Sequence, residues 1–325
     1  MAGESRRVPV VMISYNRPDL VKLTMENVAL ADSVGGRDIV MFIDGPRNDA
    51  DVVKQDEIYR TVAAYQSRLP RLEIVRREHN YGCRGNIVDA ISSVLNRIGR
   101  VIVIEDDILV SRTFLRYMDE ALEYYEGDER IWAVNAYQNP YFKVPKNYPY
   151  DLYLNPVNMC WGWGTWKDRW DGVDFDLRDW PKDRKDGELI SRLNKAGRYI
   201  IPLLDAQYEG RLKTWDIQCT YHVVKHGFKC VEPVYQLSKN IGFGSGGEHC
   251  AASMPFFSRQ KYYNFMPRLV KNIGENEDIE RQWEYLSWNK NFFDRVIRKL
   301  KREMARLWSS NMEPVNVGGA GVHKC

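Results

Sequence analysis

No apolar run in this 325-residue chain reaches the roughly 20 residues needed to cross a bilayer. The stretch Val8–Ile13 is apolar, but it is too short and too soon followed by Tyr15-Asn16-Arg17-Pro18 to be a secretory signal. A cytoplasmic protein is the expectation. Charge of one sign is equally scarce, with 47 Lys+Arg against 44 Asp+Glu and a formal net charge of +3. That balance argues against a nucleic-acid partner held by overall charge. There are only six cysteines (83, 160, 219, 230, 250 and 325), none in C-x-x-C spacing, which argues against a zinc site or a disulfide framework. No internal repeat is found, and no low-complexity tract before the glycine-rich end at 317–321. Aromatics are plentiful, with 10 Trp and 19 Tyr, and their flat apolar faces and polar edges suit sugars and nucleotides as well as cores.

The first third alternates strand and helix patterns. Apolar runs at Val8–Ser14, Asp38–Ile43, Leu72–Arg76 and Arg100–Val110 read as strands. Pro18–Ala29, Asp51–Ser67 and Gly85–Ile98 read as helices between them. Fully apolar strands in this alternation predict a mainly parallel sheet covered on both faces, with ligands beyond the carboxyl ends of its strands. The middle of the chain is less regular. Asp171–Asp186 reads as loop, Glu188–Lys195 and Thr214–His226 as helices, and Lys229–Val234 as a strand.

Several polar groups fall at the predicted strand ends: Ser14, Asn16 and Arg17, then Asp44, then Asn80, Gly82, Arg84 and Asn86, and finally Glu105-Asp106-Asp107. Adjacent carboxylates repel, so the triplet needs a cation or strong donors. A hard divalent ion that also binds phosphates, Mn²⁺ or Mg²⁺, fits it, whereas a solvated acidic turn would seldom follow a buried strand. Asp44 suits a base or ribose, or a plain Asp-Gly-Pro turn. Arg17 and Arg84 are candidate phosphate partners through their forked donors. The segment 240–249 holds enough glycine for backbone N–H groups to wrap a pyrophosphate.

In this order, together with Trp161-Gly-Trp-Gly164 and Trp215-Asp216, these motifs resemble glycosyltransferases of the GT-A fold. The resemblance is to N-acetylglucosaminyltransferase I and to bacterial surface-polysaccharide sugar transferases, over roughly residues 8–250. It implies an α/β, Rossmann-like fold with a mixed, mainly parallel sheet in a catalytic domain at 1–255, its nucleotide-sugar half at 1–110 and its acceptor half at 111–255. A C-terminal helical extension at 256–310 and a disordered tail at 311–325 would follow. It further implies a metal-dependent, inverting transfer from a UDP-sugar, UDP-N-acetylglucosamine first, to a glycan or lipid-linked glycan. Asp107 would bind the metal, and Glu105 and Asp106 would face the donor sugar and ribose. Asp44 and Arg17 would hold the nucleotide, with Ser245 and His249 closing over the pyrophosphate. Asp216 would be the base, alone where the eukaryotic enzymes have Trp-Asp-Asp. A helix N-cap is the plainer reading of that residue. Trp161, Trp163 and Trp215 are the candidate acceptor surface, although core packing competes, for Trp163 above all.

Three other classes compete, one of them a membrane-associated scaffold suggested by the C-terminal segment. A nucleotidyltransferase would show a glycine-rich phosphate loop after the first strand, which Ser14–Pro18 lacks. A non-catalytic carbohydrate-binding protein would have no use for three acids at a strand end. Lys290–Arg306 carries seven basic residues against two acidic ones, and an apolar stripe from Phe293 to Trp308 follows helical spacing. It reads as a helix packed on the domain or docked on an anionic membrane at the inner face.

Overall fold

Side chains of successive strand residues point to opposite faces of a sheet, and here both faces are apolar. In β1 (Val10–Ser14), Val10 and Met12 enter one core while Val11 and Ile13 enter another. A computed structural model describes residues 7–139, 142–242 and 261–283. After β1 come α1 (Pro18–Val28), β2 (Ile39–Ile43), α2 (Asp49–Ala63), β3 (Leu72–Arg76), α3 (Gly82–Ile98), β4 (Arg100–Glu105), β5 (Ile108–Val110) and α4 (Phe114–Tyr125). They are followed by β6 (Ile131–Asn135), β7 (Leu152–Asn155), β8 (Trp163–Trp166), α5 (Lys167–Trp170), α6 (Trp180–Asp183) and α7 (Gly187–Ala196). The last are α8 (Ile200–Tyr208), α9 (Asp216–His226), β9 (Lys229–Pro233) and β10 (Ser238–Asn240).

The main sheet has eight strands in the order β3-β2-β1-β4-β8-β6-β9-β7, and only β7 and β8 run against the rest. The expected mixed, mainly parallel α/β architecture is therefore what forms. One core packs α1, α2 and α4 on the sheet through Met25, Ile58 and Met118, and the other packs α3 and α9 through Ile91 and Val223. The helices α7, α8 and α9 close a third cluster around Leu193 and Leu204. Three local expectations are corrected. The run Arg100–Val110 is not one strand, because the chain leaves the main sheet at the acids and β5 pairs with β10 in a separate two-stranded sheet. Helix α3 begins at Gly82, so Gly85, where the sequence pattern starts the helix, already lies inside its first turn. The segment 171–186 contains α6, whose Trp180 is buried. Of the predicted extension at 256–310, residues 261–283 are described, and 261–276 are not helical; its basic stripe at 290–308, the tail at 311–325, and Ser245 and His249 lie outside the described residues.

A buried acid far from the acidic triplet marks the other end of the sheet. Glu232 on β9 is fully buried and accepts from Tyr153 Oη, Asn155 Nδ2 and Asn135 Nδ2, all neutral donors. Burial pushes it from an ordinary 4.5 up to about 7, against those hydrogen bonds. Between these values the folded chain holds a proton that the unfolded chain has released, so stability falls as pH rises through this window. Glu232→Gln is expected to remove that dependence and to gain on the order of 3 kcal/mol relative to wild type at pH 8. Urea unfolding at pH 5 and pH 8 tests this. A wild-type stability that rises across the interval would refute it.

Candidate active site

Beyond the carboxyl ends of β1, β2 and β4 lies a cavity of about 360 Å³, a volume in the range of small-ligand sites. The predicted strand-end groups Ser14, Asn16, Arg17, Asp44, Asn80, Gly82, Asn86, Glu105, Asp106 and Asp107 all line it. Trp161, Trp215 and Asp216 line it as well. These residues span the chain from position 14 to 216, and only the sheet topology brings them together.

The acids are the electrostatic centre. Arg17, immediately before the proline that opens α1, bridges two of them: its guanidinium pairs with Asp106 and donates from Nη1 to Asp107 Oδ2 at 3.0 Å. Asp106 is pushed up to about 6 by burial, which outweighs the pull of Arg17. Glu105 is raised well above the carboxylate range by burial, then by Asp107 and Asp106. Thr24 Oγ1 donates to the Asp106 carbonyl at 2.8 Å, and Ile241 N to the Asp107 carbonyl at 2.8 Å, which fixes the turn. Gly242 closes over it. A Cβ there would come within 2.2 Å of Asp107 Oδ2, so the chain after β10 approaches this carboxylate as only glycine allows.

On the β2 side, Asp44 is a structural anchor as well as a cavity wall. It accepts from Gly45 N at 2.9 Å, Tyr81 N at 2.8 Å and Asn80 Nδ2 at 3.1 Å, tying the end of β2 to the start of α3. Burial nonetheless raises it above its ordinary value. The same contact aims the amino end of the 17-residue α3 into the cavity, with Gly82 at φ 71°. Helix amino ends favour anions.

Asp216 is the first residue of α9, and Trp215 is its N-cap, so the capping reading does not hold. Its carboxylate accepts the Thr214 hydroxyl. Asp216, Glu105 and Cys160 line the same cavity, and burial and then the two carboxylates raise the Cys160 thiol.

Two predicted residues lie elsewhere. Arg84 does not line the cavity and pairs with Asp176 at 2.5 Å, since its place in the first turn of α3 points it across to the α5–α6 connection. Trp163 is fully buried, stacked 5.6 Å from both Trp132 and Trp215 at 12° and 20°. It has no face to offer an acceptor because β8 is an interior strand with both faces covered. Trp215 is itself only 3% exposed, while Trp161 stands half-buried against Tyr137 at 4.4 Å.

Sequence reasoning missed a polar cluster on the rim. Arg47 lies over the Tyr15 ring at 4.6 Å. Asp51, on the first turn of α2, accepts from Tyr15 Oη, from Asn16 Nδ2 at 2.7 Å and from Arg47 N at 3.1 Å. Burial would raise Asp51, yet these donors hold it at about 2. No motif marks Arg47 or Asp51, which meet Tyr15 only because β1 and β2 are neighbours.

No family model matches the chain. A curated protein of Arabidopsis thaliana, alpha-1,3-mannosyl-glycoprotein 2-beta-N-acetylglucosaminyltransferase, is 23% identical over 206 residues. The chain resembles a glycosyltransferase. That match covers 61% of this chain and 46% of the relative, so the chain spans about half the length of the curated protein. Among solved structures, S. aureus TarS 1–349 is similar at 13% identity with a TM-score of 0.33, covering 49% of this chain and 47% of that one. TarS 1–349 in complex with UDP gives the same identity and TM-score over 48% and 46%. No helix among the described residues is long and apolar enough to cross a membrane.

Proposed function

We propose that this chain transfers a sugar from a UDP-sugar to a hydroxyl of a glycan acceptor with inversion of configuration, in the building of a surface polysaccharide. One observation carries the reading: a single cavity unites an anion-binding helix end, a buried acid pair and a separate carboxylate, Asp216, on the opposite stretch of chain. A carbohydrate-binding protein has no need of that combination. The similarity to a curated N-acetylglucosaminyltransferase supports UDP-N-acetylglucosamine as the first donor to try.

The pyrophosphate of the donor would lie between the amino end of α3 and the acids. Asp216 would take the proton of the acceptor hydroxyl as that oxygen attacks the anomeric carbon from the face opposite the nucleotide. The Thr214 hydroxyl occupies Oδ1 of Asp216 and fixes the direction in which the carboxylate points. Trp161, the most accessible of the cavity tryptophans, would offer its ring to the acceptor sugar.

The donor set suits a hard cation, since Asp106 and Asp107 supply only oxygen. Among the described residues no three His, Cys, Asp or Glu side chains converge on one point. An ion held by Asp107, with Asp106 beside it, would be completed by phosphate oxygens and water, as is common for Mg²⁺ and Mn²⁺. Such an ion, when bound, neutralises charge on the departing nucleoside diphosphate.

Incubation with a panel of nucleotide sugars and Mn²⁺ tests the reading by nucleoside diphosphate release and by thermal shift with UDP plus metal. Neither signal from any donor would sink it. Asp107→Ala is expected to weaken metal-dependent UDP binding at least about tenfold, given that even outer-shell losses cost about 10–100-fold. Undiminished affinity refutes its role. We also place the chain at the inner face of a membrane, where a lipid-linked acceptor would be found, through the basic stripe at 290–308. Deletion of 290–310 is expected to abolish binding to anionic vesicles, and binding that survives it refutes this placement.

A further inference from the structure

The sheet edge that carries the cavity continues past it. Beyond Trp161, at the entry to β8, the next strands along that edge are β6 and β9. Their ends are bonded side by side: Ala136 N donates to the Gly162 carbonyl at 2.9 Å, Leu237 N to the Ala136 carbonyl at 2.7 Å, and Tyr263 N to the Gln236 carbonyl at 2.9 Å. Gln236 lies two residues before Ser238, whose Oγ donates to the Trp161 carbonyl at 2.5 Å, so a short stretch of chain joins the backbone of Tyr263 to that of Trp161.

Here the surface turns aromatic. Tyr235 is 53% exposed and Tyr263 47%, with ring centroids 5.5 Å apart. Phe265 meets Tyr235 edge-on at 5.3 Å and anchors the group on the core below. Among the described residues no other two exposed aromatic side chains touch. The segment is held in place, because Gln236 Nε2 donates to the Lys261 carbonyl at 2.7 Å and Thr113 Oγ1 to the Phe265 carbonyl at 2.7 Å.

We propose that Tyr235, Tyr263 and Phe265 form an acceptor subsite that stacks on the apolar face of a pyranose ring other than the one bearing the reacting hydroxyl. The inference rests on the transferase reading. The ends of β1 and β2 are taken by the donor, so an extended acceptor entering beside Trp161 has the edge over β6 and β9 as its course. Rings fixed by packing beneath and open to water above offer flat apolar area at little entropic cost.

The test uses the full chain with maltohexaose, cellohexaose, chitohexaose and mannohexaose, each beside its monosaccharide, in saturation-transfer NMR and calorimetry. At least one hexasaccharide is expected to bind about tenfold or more tighter than its monosaccharide. The double variant Tyr235→Ala with Tyr263→Ala should erase that difference, and Tyr235→Phe with Tyr263→Phe should keep it. No dependence on chain length with any of the four, or a dependence that survives the alanine pair, overturns the subsite. So does a concentration-dependent dimer that the alanine pair abolishes, since the surface would then face a second copy of the chain. UDP binding is measured in parallel with every variant. If UDP binds and the hexasaccharides fail, only the subsite falls; if UDP does not bind the wild type, the transferase reading falls first.

Discussion

Asp216→Asn is expected to reduce transfer by about 10²–10⁴-fold while leaving UDP-sugar affinity within about twofold, the magnitude typical of a lost general base. The substitution is nearly isosteric. Its amide oxygen can still accept from the Thr214 hydroxyl, and residue 216 can still open α9, so the fold has no reason to change. What disappears is the oxygen able to take a proton. Calorimetry with UDP and a turnover assay on the same preparation separate the two effects. Activity within tenfold of wild type would move the proton to another group. An equal loss of donor affinity would make Asp216 a binding residue instead.

Much of the site was legible because strand ends are legible. An apolar run that stops at Ser14, Asp44 or Glu105 announces where a sheet edge lies, and a parallel sheet puts such edges on one side. The cavity accordingly gathers nearly all the polar groups predicted at those ends. Arg84 failed because it lies in the first turn of a helix, where a shift of about 100° per residue decides whether a side chain meets the cavity or Asp176. Trp163 failed because a tryptophan alternating with glycine looks the same whether it faces solvent or, as here, a stack of Trp132 and Trp215. The break after Glu105 was hidden by its own composition, since Ile108–Val110 is as apolar as the strand before the acids. Its partner is β10, 130 residues further on, and no local pattern reports a pairing of that kind. The cluster of Tyr15, Arg47 and Asp51 was illegible for the same reason.

The acid triplet also sharpens the role of Arg17. The sequence alone offered it to the nucleotide phosphates, but in the structure its donors go to Asp106 and Asp107. Asp106 and Asp107 are 3% and 8% exposed, and burial without a counter-ion would penalise both. Removing one partner of a buried pair costs about 3–5 kcal/mol. Because the Arg17 side chain is 24% exposed, solvent screening brings the expectation for Arg17→Met down to about 2–3 kcal/mol, or about 3–5 °C in the thermal midpoint. Two features distinguish this account from simple loss of packing. The deficit should be largest near pH 8 and should shrink toward pH 5, because Asp106, already raised to about 6, takes a proton there and no longer repels its neighbours. Mn²⁺ should also stabilise the variant more than the wild type, since the cation meets the acids with no guanidinium competing for Asp107. Thermal melts of both proteins at pH 5 and pH 8, with and without Mn²⁺, read these effects together. A deficit that is equal at both pH values and unmoved by the ion would mean that Arg17 acts through its aliphatic stem, and the acids would then need another source of countercharge.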